Sequence, residues 1–207
     1  MYKLFYSPGS AAMAPHAALE ETGAPHELVL VDMKAGAHKR PEYLKFNPNA
    51  RVPTLIDGDL VVYESAAIVM YLADRHPASG LAPAPGSMER GPYYQWLVYM
   101  TNTVQEAYMS YFHSDWYATS ESAHAEVKAK SEARLQPLFG VLDKALEKGP
   151  YLLGDRFSGA DIFLMMMARW SRNMAKPATT FPNIKRCVDL VLARPATQRM
   201  MKAEGLS

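Results

Sequence analysis

Three short segments carry side chains whose types and spacing could do chemistry. The first is Tyr6-Ser7-Pro8-Gly9-Ser10-Ala11-Ala12, between a strand-like and a helix-like run. It puts hydroxyls at the start of a helix, where free N–H groups and the helix dipole favour an anion. The second is Asn47-Pro48-Asn49-Ala50-Arg51-Val52-Pro53-Thr54-Leu55. A proline directly ahead of a strand stands where a cis peptide makes a tight turn. The third is Tyr63-Glu64-Ser65, where a strand ends and an apolar helix begins. Ser65 falls at the N-cap or first position of that helix, with the Glu64 carboxylate beside it. Taken singly, these segments read as a turn, a strand start and a helix cap. Their order and spacing make them specific.

The elements that must position these segments follow from local pattern. Strands are predicted at Lys3–Tyr6, Glu27–Val31, Val52–Ile56 and Leu60–Tyr63. The last two are joined by Asp57-Gly58-Asp59, a tight hairpin signal. A helix at Pro15–Glu21 stops at Thr22-Gly23 and Pro25. Pro41–Lys45 is a short turn or helix. Ser65–His76 is apolar on most sides, so it should be buried on most sides. The order βαβ then ββα implies a parallel crossover followed by a hairpin and a covering helix. Residues 78–87 are rich in proline and glycine and read as a linker between a domain at 1–77 and another at 88–207. The second half reads as helices at Tyr93–Trp116, Ala123–Glu147, Ser158–Arg172 and Ile184–Ala193, with a short last one opened by Pro195. Pro137 should kink the second of these. Ser158 and Asp161 have the spacing of a capping box, and Phe157 and Ile162 that of a hydrophobic staple.

Composition narrows the function. The chain has 207 residues, 49% apolar and 21% charged, the balance of an ordinary globular protein. Its 22 Lys plus Arg against 21 Asp plus Glu leave a formal net charge of +1. No excess of positive charge exists to gather phosphates, so nucleic acid and anionic membrane are not expected partners. No run reaches the ~18 apolar residues of a membrane span, and no leader pattern precedes the first strand. A cytoplasmic location is expected. Cys187 is the one cysteine, so neither an internal disulfide nor a CxxC motif can form. The six histidines show no HExxH or comparable pairing, so no metal site is expected. No GxGxxG or Walker A loop is present either.

With these segments in place, the chain resembles the cytosolic glutathione S-transferases over essentially its whole length. The resemblance is carried by NPNARVPTLIDGDLVVYESAAIVMYL, YLLGDRFSGADIFL and FPNIKRCVDLVLARPATQRMMKAEGL. It implies an α/β thioredoxin-like N-terminal domain, an all-α C-terminal domain, a homodimer and a role in detoxification. Glutathione would be the co-substrate, with no metal. By resemblance, Glu64 and Ser65 would hold its γ-glutamyl end. The Val52 backbone, before a cis-Pro53, would pair with the cysteinyl peptide like an added strand. Lys34 and Arg51 would meet the glycyl carboxylate.

The chemistry so implied is thiolate stabilisation. A free thiol has a pKa near 8.5, and lowering it by about two units takes roughly 2.7 kcal/mol of preference for the anion. The beta class of this family carries a cysteine in the first loop and a facing histidine. Here those positions are Ala11 and Gln105, so a mixed-disulfide mechanism lacks its residue. The theta and delta classes carry a catalytic serine that aligns with Ser10. Ser10 is therefore the leading thiolate donor, Tyr6 the second and Ser7 the third. A hydrophobic electrophile would be walled by Met13, Tyr108, Tyr111, Phe112 and Trp116, the residues at 108, 111 and 112 recurring at helical spacing. Core packing accounts for the same spacing. Asn102 and Gln105 would reach bound glutathione across the dimer. The rival readings are another glutathione-dependent reaction (peroxidase, dehalogenase, ether cleavage or isomerase) or a non-catalytic protein of this fold.

Overall fold

Leu4 and Leu55 face each other across two neighbouring strands and both are fully buried. Around that pair the first unit is built. In the computed structural model, which describes residues 1–206, β1 (Tyr2–Tyr6) lies between β2 (His26–Leu30) and β3 (Thr54–Asp57). β4 (Leu60–Tyr63) completes a four-stranded sheet in the order β2-β1-β3-β4. β1 and β2 run parallel, and the other two pairings are antiparallel. This mixed sheet with its helices is the thioredoxin-like arrangement. The β3–β4 hairpin turns at Gly58, whose φ of 60° suits a residue without a Cβ.

α1 (Met13–Thr22) and α3 (Ser65–Arg75) pack against each other. α1 begins two residues ahead of the expected Pro15. Proline in the first turn costs nothing there, because its missing N–H would have had no helical partner. On the sheet's other face, Tyr43 of the short α2 (Pro41–Leu44) joins Val31 and Val52, with Phe5, Met33 and Ala37 around them. This small cluster holds Val52 of the second chemical segment.

The chain divides into two compact units, Met1–Ala84 with Leu192–Ser207, and Pro85–Val191. The expected helical domain at 88–207 therefore gives up its tail. α9 (Pro195–Ala203) packs on α1, and Arg194 makes a two-pronged ion pair to Glu21 at 2.6 and 2.9 Å. The tail follows the long-range partners of α1, which sequence periodicity does not encode.

The second unit is helical. The expected helix Tyr93–Trp116 is α4 (Arg90–Tyr99), a π-helical stretch at Met100–Gln105, α5 (Glu106–Phe112) and a 3₁₀ turn at Ser114–Trp116. Tyr93, Leu97, Met100, Val104 and Ala107 are all buried at spacings of three and four. That face is continuous through the widened turn, so the pattern alone reads as one helix. α6 (Glu121–Ala145) continues through Pro137. α7 (Gly159–Trp170) is the central helix, buried from Gly159 to Ala168. α8 (Pro182–Leu192) follows. At the start of α7, Ser158 Oγ accepts from Ala160 N–H, and Asp161 accepts from Ser158 N–H at 2.8 Å, completing the capping box. The other Asp161 oxygen accepts from Leu152 N–H at 2.8 Å. Burial pushes the Asp161 carboxyl up to about 6, against the pull of hydrogen bonds from Leu152, from the Ser158 N–H and hydroxyl, and from the Cys187 thiol.

Candidate active site

The loop between β1 and α1 is closed by its own backbone. Ser10 N–H donates to Ser7 C=O at 3.2 Å, and Met13 N–H donates to Ser10 C=O at 3.1 Å. Ser10 Oγ accepts from Ala12 N–H at 3.2 Å. That oxygen thus holds the backbone just ahead of α1 and keeps its own proton to give away. Gly9 turns the chain at a φ of 71°. Its N–H donates to Glu204 Oε2 at 2.9 Å, and Glu204 Oε1 accepts from His16 Nδ1 at 2.8 Å. Both side chains of that pair are fully shielded from solvent. The tail of the chain therefore clamps the loop that carries Ser10. Tyr6 ends β1, half-buried, with its ring 6.0 Å from that of His16.

Ser65 binds the third segment to the first, its hydroxyl donating to Ala11 C=O at 2.6 Å. Ser65 opens α3, and Ile68 N–H, bonded to Glu64 C=O at 3.0 Å, begins the helical ladder. No side chain caps this turn. The helix start therefore presents N–H groups to any anion brought there. Glu64 holds φ at 74° and ψ at 114°, a backbone region costing a non-glycine residue about 1–3 kcal/mol. Its carboxylate is exposed beside the open helix end.

Val52 and Pro53 are joined by a cis peptide, and both are buried. Among the described residues, the Val52 N–H and C=O take no hydrogen-bond partner. The neighbouring Arg51 C=O is held twice, by the Tyr43 hydroxyl at 2.5 Å and Asn47 Nδ2 at 2.8 Å. Both also reach Thr54 Oγ1, at 2.8 and 3.2 Å. The Arg51 side chain points outward and is exposed. Lys34 is exposed on the β2–α2 loop, between Met33 and Ala37, which pack against the cluster of Val31, Tyr43 and Val52.

The residues expected to wall an electrophile divide. Met13 is fully buried within α1, and Tyr108 is buried with its hydroxyl donating to Met167 C=O at 2.6 Å. Burial raises the Tyr108 phenol well above its ordinary range. These two are core residues of their units and offer no surface to a ligand; helical spacing marks an apolar face but not what covers it. Tyr111 is half-buried, while Phe112 and Trp116 are 49% and 58% exposed. Trp116 stacks on His113 at 4.1 Å. Asn102, exposed, and Gln105, half-buried, both lie in the π-helical stretch.

Sequence reasoning passed over Tyr43, Asn47 and Glu204. Asn47 sits at the head of a quoted segment, so its place before a turn was the available signal. Nothing local marks Glu204, whose partners are 188 and 195 residues away.

The glutathione S-transferase N-terminal domain family matches residues 1–74, and the glutathione S-transferase C-terminal domain family matches residues 99–195. Glutathione S-transferase GstA of Escherichia coli O157:H7 is 32% identical over 207 residues, covering 99% of each chain. The disulfide-bond oxidoreductase YfcG of Escherichia coli K12 is 30% identical, covering 99% of this chain and 96% of that protein. A sphingomonad glutathione S-transferase solved in complex with glutathione is 36% identical with a TM-score of 0.87, covering 99% of this chain and all of that one. Matched from its first strand to its last helices in sequence and fold, the chain belongs to the glutathione S-transferase family.

Proposed function

We infer that the chain is a glutathione transferase, holding glutathione as its thiolate for attack on a hydrophobic electrophile. One observation carries the reading: the Ser65 hydroxyl bonded to Ala11 C=O joins the loop of Ser10 to the uncapped start of α3. An open helix end suits the γ-glutamyl carboxylate, and the Glu64 carboxylate suits its ammonium. The unpaired Val52 peptide suits the cysteinyl backbone as an added strand, with Pro53 holding the turn. Lys34 and Arg51 meet the glycyl carboxylate. Ser10 donates to the thiolate, with Tyr6 and Ser7 as the alternatives. Tyr111, Phe112 and Trp116 form the electrophile's apolar surroundings. The protein acts as a homodimer in the cytoplasm, and the exposed Leu60 and Tyr63 on the edge strand β4 supply apolar surface for a partner subunit. Asn102 and Gln105 reach glutathione across that dimer. Among the described residues, no helix is long and apolar enough to cross a membrane.

Titration of glutathione by calorimetry, with thiolate absorbance followed against pH, tests the reading. Saturable binding with a depressed thiol pKa is expected. Binding with an unshifted thiol would instead mark a carrier, and no binding would end the reading.

The likeness to a disulfide-bond oxidoreductase favours a second reaction at the same site. Cys187, the one cysteine, is buried in the second unit and its thiol is pushed well above the usual range by burial and by Asp161. The thiols exchanged would then be those of glutathione and its substrate. Reduction of a glutathione mixed disulfide by the Cys187→Ala variant, at the wild-type rate, distinguishes this from chemistry at a protein thiol.

A further inference from the structure

His16, Glu20 and His26 form a cluster outside the loops described above. His16 and Glu20 are one turn apart on α1, and His26 opens β2 after the Gly23–Pro25 turn. Each offers a ligand atom, and these atoms lie within 4.8 Å of one another. The sequence shows no HExxH or comparable pairing and so predicts no metal site; the three residues belong to two elements that the α1–β2 return brings together.

The hydrogen bonds leave the correct atoms open. His16 Nδ1 faces a Glu204 carboxylate oxygen, which can only accept, so Nδ1 carries the proton. His16 Nε2 is then a bare acceptor, buried in a fully shielded side chain without any partner. His26 Nδ1 donates to Ala24 C=O at 2.9 Å, which leaves its Nε2 lone pair directed elsewhere. That Nε2 stands 3.6 Å from Glu20 Oε1. The second Glu20 oxygen accepts from Arg199 Nε at 2.5 Å. Each imidazole thus has its far nitrogen fixed by a carboxylate or a carbonyl, as histidines that bind metal do. His16 Nε2 is sealed from solvent, while the His26 side chain is part-exposed.

We propose that His16 Nε2, His26 Nε2 and Glu20 Oε1 bind a divalent transition metal ion, with zinc as the best fit. Two imidazoles and one carboxylate are a donor set for zinc, at about 2.0–2.2 Å per ligand with a fourth position open. Ligands on a tetrahedral ion stand roughly 3.3–3.5 Å apart. The 3.6 Å between His26 and Glu20 is already close to that, and the remaining pairs, within 4.8 Å, must close by up to about 1.5 Å on binding. Arg199 competes for Glu20 and sets the affinity below that of a site with a free carboxylate. Entry is from the side of Glu20 and His26, whose side chains are 17% and 15% exposed.

The test uses the full chain, stripped with a chelator and titrated with zinc against a chromophoric zinc indicator. One equivalent should bind, and His26→Ala should weaken it by at least tenfold. His26 is part-exposed, so this variant keeps the test independent of folding losses that a change at the buried His16 would bring. Glu20→Gln should weaken binding by a smaller factor. Cobalt(II) in place of zinc should give the visible ligand-field bands of a low-coordinate site, absent in His26→Ala. Absence of zinc binding at micromolar concentrations overturns the proposal. So does binding of unchanged strength in His26→Ala, which would assign the metal to other surface histidines.

Discussion

Replacing Ser10 by alanine tests the thiolate assignment most directly. In the protein the Ser10 oxygen accepts the Ala12 N–H, so its own O–H has no role in holding the loop. A hydrogen bond from that O–H to a thiolate is charge-assisted and contributes about 1.5–3 kcal/mol. At 1.36 kcal/mol per pKa unit, its loss should raise the bound thiol by about one to two units. A thiol held about two units below 8.5 is roughly three-quarters ionised at neutral pH; restored to 8.5 it is about 3% ionised. The conjugation rate at neutral pH should fall by up to about 25-fold and recover as pH is raised through 8.5. Thiolate absorbance of bound glutathione, followed against pH, reads the shift. The Cys187 thiol adds no thiolate to the background, because it is buried and pushed above the usual range. Ser10→Thr, which keeps the hydroxyl, should stay close to wild type. Loss of the acceptor for Ala12 N–H also costs Ser10→Ala about 0.5–1.5 kcal/mol of stability, read separately by denaturant melting. A bound-thiol pKa within about 0.3 unit of wild type in Ser10→Ala would refute the assignment, and Tyr6→Phe would then be the variant to measure.

Two further outcomes follow from buried carboxylates. Glu204→Ala removes an acceptor of Gly9 N–H and of His16 Nδ1, and taking the acceptor from a buried donor costs about 1–3 kcal/mol; amide exchange at Gly9 should accelerate relative to the centre of β1. Asp161→Ala leaves the Leu152 and Ser158 N–H groups buried without their acceptor, a loss of roughly 2–5 kcal/mol in urea unfolding. In the wild type, the Asp161 carboxyl is raised from about 3.9 unfolded to about 6 folded, so the native state binds its proton more tightly. Its contribution to stability is therefore fully present below pH ~4 and is lost as pH rises through about 6, a slope that Asp161→Asn should abolish.

What could be read from the chain alone was whatever neighbours in sequence decide. The Asp57-Gly58-Asp59 turn joins β3 to β4 because its backbone geometry is set by the turn residues themselves. Ser158 and Asp161 start α7 because both arms of the capping box span three residues. Ser65 opens α3, and the apolar run behind it buries Ile68, Val69 and Leu72, because a helix apolar on most sides is buried on most sides. The motif spacing also reached the family, since its segments sit on these local elements. Tertiary structure alone decided which partners distant residues take. It returned residues 192–206 to the first unit, where Glu204 clamps Gly9 and His16. It sealed Tyr108 and Met13 inside their units although their spacing suits an exposed pocket face equally well. It also widened the helix at Met100–Gln105 without changing the burial pattern, and brought His26 to His16 and Glu20. Periodicity records that a face is apolar or that a residue can donate. Only the packed chain determines what stands opposite, because that choice rests on contacts between elements separated by up to nearly the whole length of the sequence.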